Sequence, residues 1–197
     1  GVVSIDPPSL EVALGTSGTV DVRSDGLTDI YGAQFTLDFD PTYLQVVDAD
    51  GNASNGVQIT PGTCPAPDFV LTNSADNTTG TVDYAATELS PTPPCDDGVI
   101  GSIEFFCLAT SGTNPATVPI TITSSLLSDS DGIALEHTRM HGEMVCGTCY
   151  PLTGAARTQG YPGDPTGVQV CLDGTDCFNT DADGSFSLVL CLPEAEP

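Results

Sequence analysis

Lysine and tryptophan are absent from this chain of 197 residues, and its only strong cations are three arginines. Against 27 Asp and Glu the formal charge is −24, a polyanion that repels phosphate backbones and anionic lipid, so nucleic acid and charged membrane surfaces are excluded as partners. Cations are the natural counterpart of such a surface, and its plainest reading is a solvated, self-repelling exterior. With no Trp and only five Tyr, the aromatic platform that sugar rings stack on is thin. No apolar run approaches the roughly 20 residues of a spanning helix, and no charged and apolar leader opens the chain. The chain begins at Gly1, and a signal segment is expected to have been removed. Amphipathic helical periodicity is also missing. So are a nucleophile with a convergent base, a glycine-rich phosphate loop and a paired-glutamate signature, and the carboxylates scatter through turns; no catalytic residue is expected.

What the chain has instead is 21 glycines, 16 prolines and many Thr, Val and Asp, the makings of short strands joined by tight turns. The clearest stretch runs from Tyr31 to Gly51. Ala33, Phe35, Leu37 and Phe39 alternate with Gln34, Thr36, Asp38 and Asp40, the period of a strand with one buried face. Asp40-Pro41 ends it, because proline lacks an N–H and pushes the preceding residue out of helical angles, and the chain turns before Leu44 and Val46 return to the apolar layer. Ser9–Leu14 and Thr19–Arg23 alternate around the turn Gly15–Gly18. Further strands are expected at 57–60, 69–72, 81–87, 99–109, 118–127 and 142–146, each bounded by Gly, Pro, Asn or Asp. Roughly nine strands so punctuated predict an all-β sandwich. Val2, Val3, Ser4 and Ile5 form one more β-type run, set apart by Pro7-Pro8 and expected to lie outside the core.

Three segments in order, GAQFTLDFDPTYLQVVDADG from Gly32, GVIGSIEFFCLATSG from Gly98 and PITITSSLLSDSDGIALEHTRMHGEMV from Pro119, resemble the cohesin-type domain, a nine-stranded jelly-roll sandwich. The resemblance covers about residues 3–146 and implies a non-catalytic scaffold domain of the kind found in cellulose-degrading complexes and in bacterial and archaeal surface proteins. Around Cys146–Cys149 the composition shifts. Gly167–Gly174 and the stretch Thr180-Asp181-Ala182-Asp183-Gly184-Ser185-Phe186 resemble the carboxypeptidase-regulatory-like, transthyretin-like β-domain, a non-catalytic sandwich of about seven strands. The expected division is therefore a cohesin-like domain over 1–146, carrying the extra segment 2–5, and a small Ig-like or transthyretin-like domain over 147–197 that stops two strands short at Pro197.

Eight cysteines in such a chain point to an oxidising, extracellular setting and are read as four disulfides. The expected pairs are Cys64 with Cys95 across a long insertion, Cys107 with Cys146, Cys171 with Cys177 across the Gly174 turn, and Cys149 with Cys191, one of 105 connectivities that eight cysteines allow. Asp-x-Asp-Gly occurs at Asp48, Asp129 and Asp181. Extended back to Asn179, the third gives Asn179, Asp181 and Asp183 the spacing of the first half of a calcium loop, but its twelfth position is Leu190 and lacks the bidentate carboxylate; an ordinary turn is the competing reading, calcium the one candidate ion, and no cofactor is required. Glu136-His137 to His141 has zinc-like spacing but neither the helix nor the intervening glutamate that zincin chemistry needs. Asn52 and Asn77 head glycosylation sequons and are expected to carry covalent glycans in an extracellular protein.

A sandwich short of strands leaves backbone groups open, and Val2–Ile5 is left over at the other end. The function expected from the sequence is thus a secreted structural protein, copies joining head to tail by strand donation into a surface fibre. The alternative is a protein- or carbohydrate-binding module of a larger secreted surface protein or enzyme.

Overall fold

The computed structural model describes residues 1–51, 58–108, 115–147, 149–155, 169–172, 176–181 and 183–191, all of them strand, turn or irregular. The chain divides into a large unit that includes Gly1–Thr148 and a small unit, Cys149–Cys191.

The large unit is a sandwich of two six-stranded sheets. The first contains β1 (Val2–Asp6), β3 (Ser17–Asp25), β5 (Leu44–Val46), β6 (Thr60–Pro61), β9 (Gly98–Cys107) and β11 (Thr138–Met140). Its order is β11-β1-β3-β9-β5, with β6 also pairing β9. The second contains β2 (Ser9–Val12), β4 (Gly32–Asp38), β7 (Phe69–Asp76), β8 (Thr81–Thr87), β10 (Ala116–Ser128) and β12 (Gly142–Cys146), in the order β2-β12-β10-β4-β8-β7. Alternation decides which side chains meet between the sheets. Ala33, Phe35 and Leu37 of β4, Val82, Tyr84 and Ala86 of β8, Val20 and Val22 of β3, and Ile103 and Phe105 of β9 are all buried there. Phe35 stacks on Tyr84 with centroids 5.3 Å apart, and Phe39 meets Phe105 edge-on at 5.2 Å, geometries that aromatic quadrupoles favour.

Val2–Ile5 is not a spare strand. It pairs antiparallel with β3, Val3 opposite Ser24 and Ile5 opposite Val22, and parallel with β11, Val2 opposite Thr138. Val3 and Ile5 are fully buried. The apolar alternation that marked the segment as a strand serves its own core, and Pro7-Pro8 is where the chain crosses from the first sheet to the second: β2 follows at once and pairs parallel with β12. The long β10 serves two neighbours, antiparallel to β12 along Ala116–Ile120 and to β4 along Thr121–Ser128, with a bulge between Ile122 and Ser124.

Two disulfides lie in the large unit. Cys107–Cys146 joins β9 to β12 and so ties one sheet to the other, and Cys64–Cys95 closes a loop around the β7–β8 hairpin. Loops of 31 and 39 residues correspond to about 3 to 4 kcal/mol each of denatured-state restriction.

In the small unit β13 (Cys149–Ala155) runs antiparallel to β16 (Ser185–Cys191), and β14 (Gln169–Leu172) antiparallel to β15 (Asp176–Asn179). These registers set Cys149 opposite Cys191 and Cys171 opposite Cys177. Gly154 lies under the Phe186 ring, where a Cβ would come within 2.4 Å of it.

Candidate functional site

The two sheets present very different outer faces. On the first, Thr19, Asp21, Arg23, Ser102 and Glu104 point outward beside Asp6, and most of these groups are already joined to one another. Ser102 donates to Asp21 at 2.6 Å, Ser17 donates to Glu104, and Arg23 Nε lies 3.6 Å from the Asp6 carboxylate.

The second sheet carries rows of directly opposite residues across four strands. One row reads Leu126, Gln34, Ala85 and Thr72; the next reads Ser124, Thr36, Asp83 and Ser74. Because Phe35 and Tyr84 face the core, these neighbours face solvent. Thr36 donates to Asp83 at 2.8 Å. Leu126 is 51% exposed, Phe69 54% and Leu71, at the bulge between Val70 and Thr72, 62%. A depression of about 290 Å³ sits over the small Ala85 between Gln34 and Thr72. Of the two described arginines, Arg23 belongs to β3 of the other sheet, whereas Arg139 of β11 donates to the Thr123 carbonyl at the β10 bulge, at the margin of this face; the rows themselves present apolar side chains, amide, hydroxyl and carboxylate groups. Nothing in the sequence marks it: the pattern shows which residues face out, and only the register shows which of them share a row.

At the side where β5 and β7 end their sheets, two asparagines four residues apart fasten one sheet to the other. Backbone bonds from Leu108 N to Tyr43 O and from Val47 N to Glu104 O show that odd-numbered residues of this segment face β9, so Val46 turns its own N–H and C=O outward. Asn77 takes both: Val46 N donates to Oδ1 at 2.8 Å and Nδ2 donates to Val46 O at 3.0 Å. Asn73 does the same for Ile59, at 2.7 Å each way, and accepts from Gln58 N as well. Beside these clamps lies a groove of about 620 Å³ bordered by Val46, Asp48, Gln58, Ala75 and Phe106.

Asn77, the expected glycan site, is thus the residue whose amide holds Val46. The paired bonds to Val46 use Oδ1 and the N–H on the same side of the amide. A glycosylated amide, like a peptide bond, keeps its remaining N–H trans to the oxygen, so a glycan on Asn77 would compete with the paired bonds to Val46. Asn52 lies outside the described residues.

The three Asp-x-Asp-Gly segments are turns in which the carboxylate at the first or the third position accepts backbone N–H groups and the glycine takes positive φ. Asp48 accepts from Asp50 N, and Asp129 accepts from Asp131 N and Ile133 N. Asp183 accepts from Ser185 N at 2.9 Å and from its hydroxyl at 2.5 Å, with Gly184 at φ 78°. The Ser185 hydroxyl, then its N–H, hold the Asp183 carboxyl below the usual range. Asn179, Asp181 and Asp183 are exposed, and no group of three metal-ligating residues gathers among the described residues. The two histidines serve separate backbone tasks: His137 bridges the Ser125 hydroxyl at 2.8 Å and the Leu135 carbonyl at 2.7 Å, and His141 Nδ1 accepts from Ile122 N at 3.1 Å beside the β10 bulge.

Two buried polar atoms have no partner among the described residues, Tyr84 Oη and Glu88 Oε2. Burial pushes the Tyr84 hydroxyl up to about 12; the other Glu88 oxygen accepts from Ala66 N at 3.2 Å.

Comparison with known proteins agrees with this architecture. The type II cohesin A11 of Bacteroides cellulosolvens superposes with a TM-score of 0.61 at 18% identity, covering 74% of this chain and 99% of that one. A non-cellulosomal cohesin of the archaeon Archaeoglobus fulgidus gives a TM-score of 0.57 at 13% identity, covering 75% and 91%. The sixth cohesin of scaffoldin B of Acetivibrio cellulolyticus, solved with a dockerin, gives 0.54 at 20% identity, covering 72% and 95%. No curated protein matches the chain. Cohesin domains are non-catalytic protein-interaction modules that occur in extracellular or cell-surface scaffold proteins. The cohesin domain family matches residues 3–141, well over half of the sequence, and the chain belongs to that family.

Proposed function

We propose that this protein is an extracellular protein-binding module whose partner, of dockerin type, docks on the outer face of β10, β4, β8 and β7. The observation that carries the reading is the contrast between the faces: the middle of one presents exposed Leu126 and Phe69 and a depression over Ala85, whereas the middle of the other is occupied by its own hydrogen bonds and ion pair, its exposed Met140 and a depression of about 540 Å³ lying at the β1–β11 margin. Apolar anchors in a surface of largely uncommitted groups supply binding energy, whereas groups already paired with one another must be desolvated at a cost. One similar cohesin of Acetivibrio cellulolyticus and one of Clostridium thermocellum were solved in complex with dockerins. The disulfides of the large unit support the extracellular setting. So do the registers of the small unit, from which we infer the further pairs Cys149–Cys191 and Cys171–Cys177.

Head-to-tail assembly by donation of Val2–Ile5 fits this geometry less well, because the donor would have to leave the interior of its own sheet and uncover Val3 and Ile5. Calorimetric titration of the full chain with a panel of purified type I and type II dockerins is the test. One-to-one binding by a monomeric chain is expected; a chain that binds none of them and polymerises on its own would overturn the reading in favour of a fibre.

A further inference from the structure

The edge of the second sheet carries an inference beyond the face just described, with which it shares β7 and Phe69 but from which its backbone groups are distinct. β7 ends that sheet, and no other described strand lies beyond it. Its backbone direction follows from two bonds between β4 and β8: Glu88 N to Tyr31 O at 2.9 Å and Phe39 N to Gly80 O at 2.8 Å. In an antiparallel ladder the bonding sense alternates residue by residue, so the even residues of β8 face β4 and the odd ones face β7. Thr81, Asp83 and Ala85 stand opposite Asp76, Ser74 and Thr72. Those three β7 residues therefore spend their N–H and C=O groups on β8, and Asn73 and Ala75 turn theirs to the outside.

The other open edge beside it is treated differently. Val46 and Ile59 have their backbone groups covered by the side chains of Asn77 and Asn73, while Asn73 and Ala75 receive no such cover among the described residues. Edge strands left in this state are templates for another strand. The N-terminal half of the edge adds exposed Phe69 and Leu71, and carboxylates stand at both ends, Asp68 beside Phe69 and Asp76 beside Asn77. A chain of charge −24 without lysine repels a second copy of itself at this edge and attracts a cationic segment.

We propose that the β7 edge is a strand-addition site for an extended, basic segment of another protein, in which apolar residues meet Phe69 and Leu71 and arginine or lysine residues meet Asp68 and Asp76. Backbone pairing at Asn73 and Ala75 supplies the register, and charge supplies the choice of partner. The probe is a synthetic octapeptide of alternating valine and arginine, titrated into the isotopically labelled full chain and followed by amide chemical shifts. A second peptide of identical sequence carries N-methyl groups at every other residue, which keeps the charge and removes the donors of one strand edge. The expected result is binding of the first peptide with the largest shifts at 70–75, and a loss of about tenfold or more with the methylated peptide, since each hydrogen bond removed costs on the order of 1 kcal/mol. Ala75→Pro, which removes an outward N–H and no bond to β8, is expected to lose binding to the same degree. Equal binding of the two peptides, or shifts centred on β11 or β2, would overturn the proposal; the methylated peptide keeps the test decisive even if the proline variant does not fold.

Discussion

The two sheets of the large unit meet the same core and face solvent in opposite ways. The first sheet turns outward a set of acids, hydroxyls and an arginine that bond to one another, with exposed Met140 at its β11 margin, and it holds the N-terminal strand in its interior between β3 and β11. The second turns outward leucine, phenylalanine, alanine and threonine with few internal bonds, and ends in an edge strand. Both faces obey the same alternation, so what separates them is the identity of the solvent-facing half of each strand. A face whose groups satisfy one another contributes to the fold; a face that leaves apolar surface uncovered is available to a partner.

The largest effect expected is on the first sheet. Deleting Val2–Ile5 removes two fully buried side chains, about 1.5 to 3 kcal/mol each, and leaves β3 and β11 without their shared neighbour. Against a typical total stability of about 5 to 15 kcal/mol, the large unit is expected to lose its cooperative melting transition. A deletion variant that melts as sharply as the full chain would return the segment to the role of a spare donor strand.

A smaller effect is expected where the sheets are fastened together. Asn77→Ala leaves the N–H and C=O of Val46 without their partner and should cost about 1 to 3 kcal/mol, read as a shift in the denaturation midpoint. The same site gives a second readout: peptide mapping of the secreted protein is expected to find Asn77 unmodified. A glycan there in the folded protein would contradict the clamp.

The smallest effect concerns the ends of β7. The N–H of Leu89 and the hydroxyl of Thr92 hold the Asp68 carboxyl below its ordinary value, and the N–H groups of Thr78 and Thr79 do so for Asp76. A carboxyl whose folded value lies below its unfolded value adds stability above the unfolded value, near pH 4, and that stability is lost as the pH falls through the folded one. Asp68→Asn and Asp76→Asn are therefore expected to flatten the fall in melting temperature below about pH 4 slightly; an unchanged acid limb would show that these turns do not contribute.

The core of the sandwich was legible in the sequence, because Ala33, Phe35 and Leu37 declare their face by local alternation. Its closure was not. Val2–Ile5 is readable as a strand, but its partners lie about twenty and about 135 positions away, and Pro7-Pro8 reads as a boundary when it is a crossing between sheets. Asn73 and Asn77 look like turn or sequon residues because a short amide side chain carries no mark of which backbone it will meet. The row joining Leu126, Gln34, Ala85 and Thr72 depends on four registers set by long-range pairing, and no local pattern specifies it.

The central claim is that the partner docks on the second sheet and not the first, and surface substitution tests it most directly. Leu126→Arg and Glu104→Arg make one cationic change on each face, with little expected effect on melting. For the dockerin that binds the full chain most tightly, Leu126→Arg is predicted to lower affinity about tenfold or more while Glu104→Arg leaves it within about twofold. The reverse order, or equal affinity of both variants with the unaltered protein, would contradict the account.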